Sequence, residues 1–357
     1  MATIEASTLS DASPVARFPV RVGGRIPSLD GLRALAILLV LLSHIAGSTY
    51  AIPFLGTGRF PLHFMLGNLG VRIFFVISGF LITSLLLREH ERTGSISLTQ
   101  FYVRRALRIL PASYAFLLVM AIAVACGTIA IPPKSFLSSF LYFRNYLVNR
   151  DWYTDHLWSL SIEEQFYLIW PAAMVVLGRR HATIAAFCTL PIAILMRLLG
   201  FGRVFETNMD ALACGCLLAS LWGPLGRNER WQRFLRSGLF WAVPLVVLIS
   251  VKLKMTNGPY LAVGTGVANL LIAVSIERFV RYYSLGLARL LNARIAITVG
   301  TLSYSLYLWQ QPWVHYDISR LQVFPVNIAL AGICATLSFN LIERPFLRLR
   351  DRLRTIQ

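Results

Sequence analysis

An imidazole lies inside a long apolar run of the sequence, where an ionisable group is costly and is a functional candidate. His44 follows Leu-Ala-Ile-Leu-Leu-Val-Leu-Leu-Ser, and Arg33 lies eleven residues earlier. Eleven helical steps of about 100° return to nearly the same face and cover roughly 16 Å. The spacing predicts Arg33 at the cytoplasmic interface and His44 about halfway through a hydrocarbon core of about 30 Å. The alternative is a core histidine bonded to a carbonyl, with a snorkelling arginine.

Two adjacent carboxylates, Glu163 and Glu164, lie at the head of a second apolar run, from Trp158 to Trp170. Ser159, Glu163 and Tyr167 share one helical face at i, i+4 and i+8. We expect Glu163 to orient His44 from another span, with Glu164 pointing about 100° away on the same helix. The alternative is negative charge at a helix N-terminus that faces water.

A basic amphipathic segment precedes the third apolar run and contains Arg105 and Arg108. The simplest interpretation is a set of positive residues that anchor a helix at the cytoplasmic interface. The functional alternative is an anion clamp, since guanidinium groups suit phosphate. In the run before this segment, Ser78 and Gly79 favour a close approach between helices.

Helices in a membrane must position these residues, because the composition is that of a lipid-embedded chain. The 357 residues are 56% hydrophobic and only 14% charged, and the mean hydropathy is +0.63. Apolar runs predict about ten spans of an all-α transmembrane bundle. The sixth is short and contains Asp210, and Arg72 and Arg197 also fall within spans. The predicted spans are 32–50, 64–87, 111–131, 157–177, 182–200, 207–222, 237–252, 259–277, 297–315 and 324–342.

The net charge of +18 indicates membrane orientation rather than nucleic-acid binding. Basic residues cluster between apolar runs, with about 24 on one side and about 8 on the other if the N-terminus is cytoplasmic. This asymmetry predicts that both termini are cytoplasmic. The five cysteines lie in or beside apolar runs without the spacing of a metal finger, and we interpret them as small apolar residues.

Several motifs in order resemble acyltransferase family 3, and the resemblance covers nearly the whole chain. His is frequent in this family after the late Tyr-Leu-Trp, where Gln310 and Gln311 stand here, so we assign no proton transfer at that position. The matching segments are Ser28-Leu-Asp-Gly-Leu-Arg33 with His44, Phe74-Phe-Val-Ile-Ser-Gly-Phe80, Arg105-Ala-Leu-Arg108, Trp158-Ser-Leu-Ser-Ile-Glu-Glu-Gln-Phe-Tyr167, Leu302-Ser-Tyr-Ser-Leu-Tyr-Leu-Trp309 and Glu343-Arg-Pro-Phe346.

The resemblance implies a multi-pass enzyme of the bacterial cytoplasmic (inner) membrane. It would move an acyl group, with acetyl favoured, from cytoplasmic acyl-CoA to a hydroxyl of a carbohydrate or glycosylated acceptor. Acyl-CoA is a donor substrate, and no permanently bound cofactor or metal is implied. We expect residues 1–27 to form a cytoplasmic N-terminal segment, residues 28–346 to form the transmembrane domain, and residues 347–357 to form a cytoplasmic basic tail. Some family members add an extracytoplasmic esterase-like domain, which we expect to be absent here, so that a separate partner or the membrane unit completes transfer.

For the mechanism, we expect His44 to act as general base and Glu163 as its orienting partner. Arg33, Arg105 and Arg108 would hold the CoA phosphates. Direct attack and an acyl-enzyme both stay open, with Ser78 and Ser43 as weaker candidates for an acyl carrier. Other residues expected to bind substrate or support the site are Asp30, Phe74, Phe75, Ser78, Gly79, Ser159, Glu164, Gln165 and Tyr167.

Two other classes of protein compete with this interpretation. A transporter or flippase also uses intramembrane ionisable groups, although no inverted repeat is evident in the sequence. A non-catalytic membrane scaffold is disfavoured because buried ionisable groups without a function are expensive.

Overall fold

The computed structural model describes residues 25–46, 62–148, 151–253, 259–314 and 319–355. Within these ranges the regular structure is helical and contains no strand, which confirms the predicted all-α class for this part of the chain. Most of the predicted N-terminal segment 1–27 lies outside the described residues. The α-helices are α1 (Leu29–Ala46), α2 (Leu62–Thr93), α3 (Leu98–Ala125), α4 (Pro133–Phe140), α5 (Trp152–Asp155), α6 (Leu157–Leu198), α7 (Phe205–Ser220), α8 (Trp222–Arg227), α9 (Glu229–Arg236), α10 (Ala242–Leu253), α11 (Pro259–Arg281), α12 (Ala288–Leu291), α13 (Arg294–Trp309), α14 (Val326–Ser338) and α15 (Arg344–Thr355).

Five helical stretches of the described chain are long and apolar enough to cross a bilayer. A sixth forms if two helices bent by 68°, Glu229–Arg236 and Gly238–Ser250, count as one span. Each of the ten predicted spans overlaps a helix, but ten crossings and the cytoplasmic position of both termini stay predictions. The five stretches are Leu66–Thr93, Leu98–Ala125, Trp152–Leu198, Ala262–Arg281 and Val326–Arg352.

Two of the predicted spans, 157–177 and 182–200, correspond to two helices that meet directly at a kink within α6. Gly178 interrupts this stretch with a φ of 71° and a ψ of 167°, a backbone conformation that costs glycine little. Helix α3 begins at Leu98, well before the predicted span at 111, because the basic segment continues the same helix. Arg105 and Arg108 are therefore fixed to the helix that also carries the apolar span.

Helix α2 is the centre of the bundle. Within its most apolar window 83% of the residues are buried, against 33% for α3 and 17% for the stretch containing α6. Helix α7 packs closely on α2, since a Cβ atom at Gly79 would overlap the carbonyl oxygen of Leu212 and one at Gly215 would overlap that of Val76. This confirms the close helix approach expected at Gly79. It also fixes the position of the neighbouring Ser78.

A buried ion pair explains the charges within the middle spans. Asp210 on α7 is fully buried and pairs with Arg197 on α6 at 2.5 Å. Arg72 on α2 is also buried and donates to the side chains of Asn68 and Asn269 at 2.9 and 3.2 Å. Each of these ionisable groups has a polar partner, as buried charges require. They link α2, α6, α7 and α11 and lie apart from the pocket described next.

Candidate active site

A pocket opens where α1, α2, α3, α6 and α13 converge, and its volume is about 720 Å³ including the open mouth. Helix packing brings together side chains that are more than two hundred residues apart in sequence. The predicted site residues that line it are Arg33, Phe74, Phe75, Ser78, Arg105, Arg108, Ser159, Glu163 and Tyr167. The prediction that Ser159, Glu163 and Tyr167 share one face of their helix is thereby confirmed.

Ser78, Glu163 and Tyr167 form a closed group of hydrogen bonds in this pocket. The Ser78 hydroxyl donates to Oε1 of Glu163 at 2.9 Å. The Tyr167 hydroxyl is 3.1 Å from Ser78 Oγ and 3.2 Å from Oε2 of Glu163. A carboxylate among apolar helices requires such donors, because an unpaired buried charge is very unfavourable. The same contacts hold a serine hydroxyl against a carboxylate base.

Three arginines supply positive charge to the same pocket. Arg33 contacts Asp30 at 3.8 Å, whereas Arg105 and Arg108 form no ion pair with the described acidic residues. Arg105 is within electrostatic range of both Arg33 and Arg108. Its guanidinium carbon lies 5.2 Å from the ring centroid of Tyr167. The lining contains these three arginines and one carboxylate, Glu163, so the pocket carries an excess of positive charge that favours an anionic ligand.

Tyr307, which also lines the pocket, contacts a buried histidine, His156. The Tyr307 hydroxyl donates to the carbonyl oxygen of His156 at 2.7 Å and lies 2.5 Å from the Ser159 hydroxyl. The His156 ring centroid is 5.5 Å from those of Tyr307 and Phe116. Both of its ring nitrogens are buried without a hydrogen-bond partner among the described residues. Such groups are rare in folded proteins and mark a place with a role beyond packing.

His44 lies beside this histidine rather than beside Glu163. Its Nδ1 is 2.8 Å from Oε1 of Gln310, and its ring centroid is 6.0 Å from that of Trp152. His44 and His156 are also within electrostatic range of each other. The carboxylate oxygens of Glu163 bond to Ser78 and Tyr167, and the structure forms no hydrogen bond between Glu163 and His44. The pairing of His44 with Glu163 stays a prediction that these contacts do not support.

His44 and Glu163 contact different groups. His44 lies two residues before Ala46, the last described residue of α1. Its ring contacts Gln310, which follows α13, and Trp152 on α5, which precedes α6. Glu163 is six residues further along α6 than Leu157, or roughly 9 Å along the axis. Residues 47–50 lie outside the described residues.

The remaining predicted residues support the site from outside the pocket lining. Asp30 contacts Arg25 at 3.5 Å as well as Arg33. Gln165 donates to the Tyr142 carbonyl oxygen at 2.8 Å, so it fastens the segment after α4 rather than a substrate. Glu164 is also outside the lining, and its Oε1 is buried without a hydrogen-bond partner among the described residues.

Sequence reasoning missed His156 and Tyr307 as members of this site. His156 stands two residues before Trp158, at the head of the same apolar run that contains Glu163. The criterion that selected His44, an ionisable group in an apolar run, selects His156 as well. Tyr307 lies within the late motif from Leu302 to Trp309, but a tyrosine in an apolar helix does not by itself indicate a site.

Comparison with known proteins shows the family to which this chain belongs. The chain matches the "Acyltransferase domain" family over residues 26–342, and it belongs to that family. It is 31% identical over 366 residues to "Putative O-acetyltransferase SACOL0978" of Staphylococcus aureus (strain COL), covering 90% of this chain and 57% of the relative. The identity to "O-acetyltransferase OatA" of S. aureus (strain NCTC 8325 / PS 47) is 28% with the same coverage. No solved structure matches the chain.

Every residue that lines the pocket falls within the range that matches the family, residues 26–342. The chain spans 57% of the length of these curated relatives. The family match begins just before α1 and ends at residue 342, one residue before Glu343, which accepts a hydrogen bond from Ser305 on α13 at 3.0 Å.

Proposed function

We propose that this chain is a membrane O-acyltransferase that moves an acyl group, with acetyl favoured, from acyl-CoA to a hydroxyl of a carbohydrate or glycosylated acceptor. One observation carries the proposal: Arg33, Arg105 and Arg108 share a pocket with the Ser78, Glu163 and Tyr167 group. The pocket thus combines an anion site with acid–base groups in one membrane-embedded cleft. The family and the names of the relatives support acyl transfer as the chemistry.

The donor would enter at the arginines. CoA carries phosphates, and arginine binds phosphate through charge-assisted, fork-shaped hydrogen bonds. Its long flexible arm would then carry the thioester past Arg105 towards Ser78 and Glu163. We place this mouth on the cytoplasmic side of a bacterial inner membrane, with both chain ends on that side, because the Arg/Lys asymmetry of the sequence predicts this orientation.

The acceptor would meet the opposite end of the pocket, where His44 acts as the general base for its hydroxyl. A thioester is already activated, so the main task is removal of the acceptor's proton, and a neutral imidazole suits that task. Oε1 of Gln310 can only accept a hydrogen bond, so in the neutral ring Nδ1 of His44 carries the proton and Nε2 holds the basic lone pair. The ring of His44 contacts the neutral amide of Gln310 and the indole of Trp152, groups that suit a neutral acceptor rich in hydroxyls.

The test is transfer of a labelled acetyl group by the purified protein in proteoliposomes. Acetyl-CoA is supplied on the side of the chain ends and an oligosaccharide on the other, and the acetylated sugar is measured by mass spectrometry. Ester formation on the sugar is expected, and His44→Ala should abolish it in a protein that still folds. Passage of an unmodified substrate across the bilayer without ester formation would favour the transporter class instead and would overturn the proposal.

A further inference from the structure

Ser78 occupies an unusual place for a helix serine in a membrane bundle. Its hydroxyl lines the pocket, donates to Glu163 at 2.9 Å and receives a hydrogen bond from Tyr167 at 3.1 Å. Serine hydroxyls in apolar helices ordinarily bond the carbonyl oxygen one turn earlier, as Ser275 does with Leu271. Ser78 bonds a carboxylate on another helix instead. A hydroxyl held against a base that a third group orients is the arrangement of an activated nucleophile.

We infer that Ser78 carries the acyl group as a covalent ester between the donor and the acceptor, an inference that rests on the proposed function. In the first step the Ser78 oxygen attacks the thioester carbonyl, and the C–S bond to CoA breaks. The proton of Ser78 passes to Glu163 and then to the departing thiolate, which leaves as free CoA. In the second step the acceptor hydroxyl attacks the ester carbonyl and gives its proton to His44, and the bond between the carbonyl carbon and the Ser78 oxygen breaks. The proton taken by His44 then passes to the released Ser78 oxygen, which restores the serine hydroxyl and the neutral imidazole.

The neighbours of Ser78 are suited to both the oxyanion and the ester. Arg33 and Arg105 are within electrostatic range of Glu163, so positive charge surrounds the group in which the tetrahedral oxyanion forms. When Ser78 is acylated it no longer donates to Glu163. The Tyr167 hydroxyl still reaches Oε2 of Glu163 at 3.2 Å, so the carboxylate keeps a donor in the acylated state.

The packing of α2 also argues for a fixed nucleophile. The adjacent Gly79 abuts the Leu212 carbonyl oxygen, which prevents α2 from rotating or sliding against α7. Ser78 therefore faces the pocket in one orientation only, as a carrier that meets two different substrates requires.

The experiment exposes the purified wild-type protein to labelled acetyl-CoA without acceptor, followed by acid quenching, proteolysis and mass spectrometry. We expect one acetyl group on the peptide that contains Ser78. The label should accumulate in His44→Gln, in which the second step stops, and disappear in Glu163→Gln. Addition of the sugar acceptor should remove the label from the wild-type protein and not from His44→Gln.

Ser78→Ala should lose both the label and transfer, and Ser84→Ala provides the matched control. Ser84 lies on the same helix six residues later, is fully buried, and its hydroxyl has no hydrogen-bond partner among the described residues. Its replacement removes the same atom from the same helix without touching the pocket. Ser78→Cys should form a thioester that neutral hydroxylamine cleaves, which gives a readout that does not depend on turnover.

The outcomes separate the carrier from the proposed function. If Ser78→Ala transfers acetyl to sugar at the rate of Ser84→Ala, the carrier is overturned and direct transfer replaces it, while the proposed function stands. If the wild type transfers acetyl but neither it nor His44→Gln holds an ester on Ser78, the carrier is likewise overturned. If the wild-type protein neither transfers acetyl nor becomes labelled, the proposed function fails and the carrier fails with it.

Discussion

Removal of the Arg105 charge tests how the donor is held. Arg105→Gln keeps a polar side chain of similar reach but removes a guanidinium that has no ion pair with a described acidic residue. A hydrogen bond to a charged group contributes about 1.5–3 kcal/mol, which corresponds to a change in Kd of about 10-fold to 100-fold. Arg105 is also repelled by Arg33 and Arg108, so its removal relieves some electrostatic repulsion within the pocket. We therefore expect the Kd for the acyl-CoA donor to rise by only about tenfold in the single variant.

The adjacent Arg104 is the matched control for this experiment. It donates to Oε2 of Glu89 at 3.0 Å and to Gln100 at 3.2 Å, so its charge is engaged outside the pocket. Kd for a non-hydrolysable acetyl-CoA analogue is measured by isothermal titration calorimetry on protein in lipid nanodiscs, at two salt concentrations. We expect Arg105→Gln to weaken binding and flatten its salt dependence, and Arg104→Gln to do neither. Equal effects of the two substitutions, or none, would refute the phosphate clamp.

Three further predictions concern Glu163 and the packing of the helices around the pocket. Glu163→Gln should lower the transfer rate by about 10²–10⁴-fold, as loss of a general base does, while Glu164→Gln should lower it much less. Initial rates with labelled acetyl-CoA measure this difference, and similar losses in the two variants would contradict the role of Glu163. Gly79→Val should lower the thermal midpoint, measured by tryptophan fluorescence, because a side chain there meets backbone atoms of α7; an unchanged midpoint would show that the two helices can separate. Asp210→Asn should lower the free energy of unfolding by about 3–5 kcal/mol, because Arg197 is left buried without its charged partner. A denaturant titration that shows an unchanged free energy of unfolding would contradict the structural role of the pair.

Most of the pocket could be predicted from the sequence, because several of its residues are charged and charged residues are uncommon in or beside apolar runs. Arg33, Glu163 and Arg105 are charged side chains in or beside apolar runs, and such residues stand out without any knowledge of the fold. The shared face of Ser159, Glu163 and Tyr167 also followed from helical periodicity alone, since it depends on one helix only.

Contacts between helices could not be predicted in the same way. The predicted partner of His44 was Glu163, but the structure bonds His44 to Gln310. Which side chains meet across two helices depends on the depth at which each helix begins and on how neighbouring helices cross, and neither quantity is written in the spacing of residues. Ser78 was predicted as a site residue and as one candidate acyl carrier, but its contact with Glu163 was not predicted, because that carboxylate lies on a different helix.

The interruption of α6 has a different origin. Two apolar runs separated by Arg179 and Arg180 predict two spans with a loop between them. In the structure the two helices meet directly at Gly178, and the basic residues Arg179 and Arg180 already belong to the second helix. Periodicity indicates where helices are stable, but it does not indicate whether adjacent helices are joined by a loop or by one residue of unusual backbone conformation.

The most direct measurement is a cryo-electron microscopy structure of the protein in nanodiscs with a non-hydrolysable thioether analogue of acetyl-CoA. The account predicts that the phosphates of the analogue contact Arg105 and Arg108, and that its acyl carbon lies within van der Waals distance of the Ser78 hydroxyl. Binding of the analogue outside this pocket, or with the acyl group pointing away from Ser78 and Glu163, would contradict the assignment of this pocket as the site of acyl transfer.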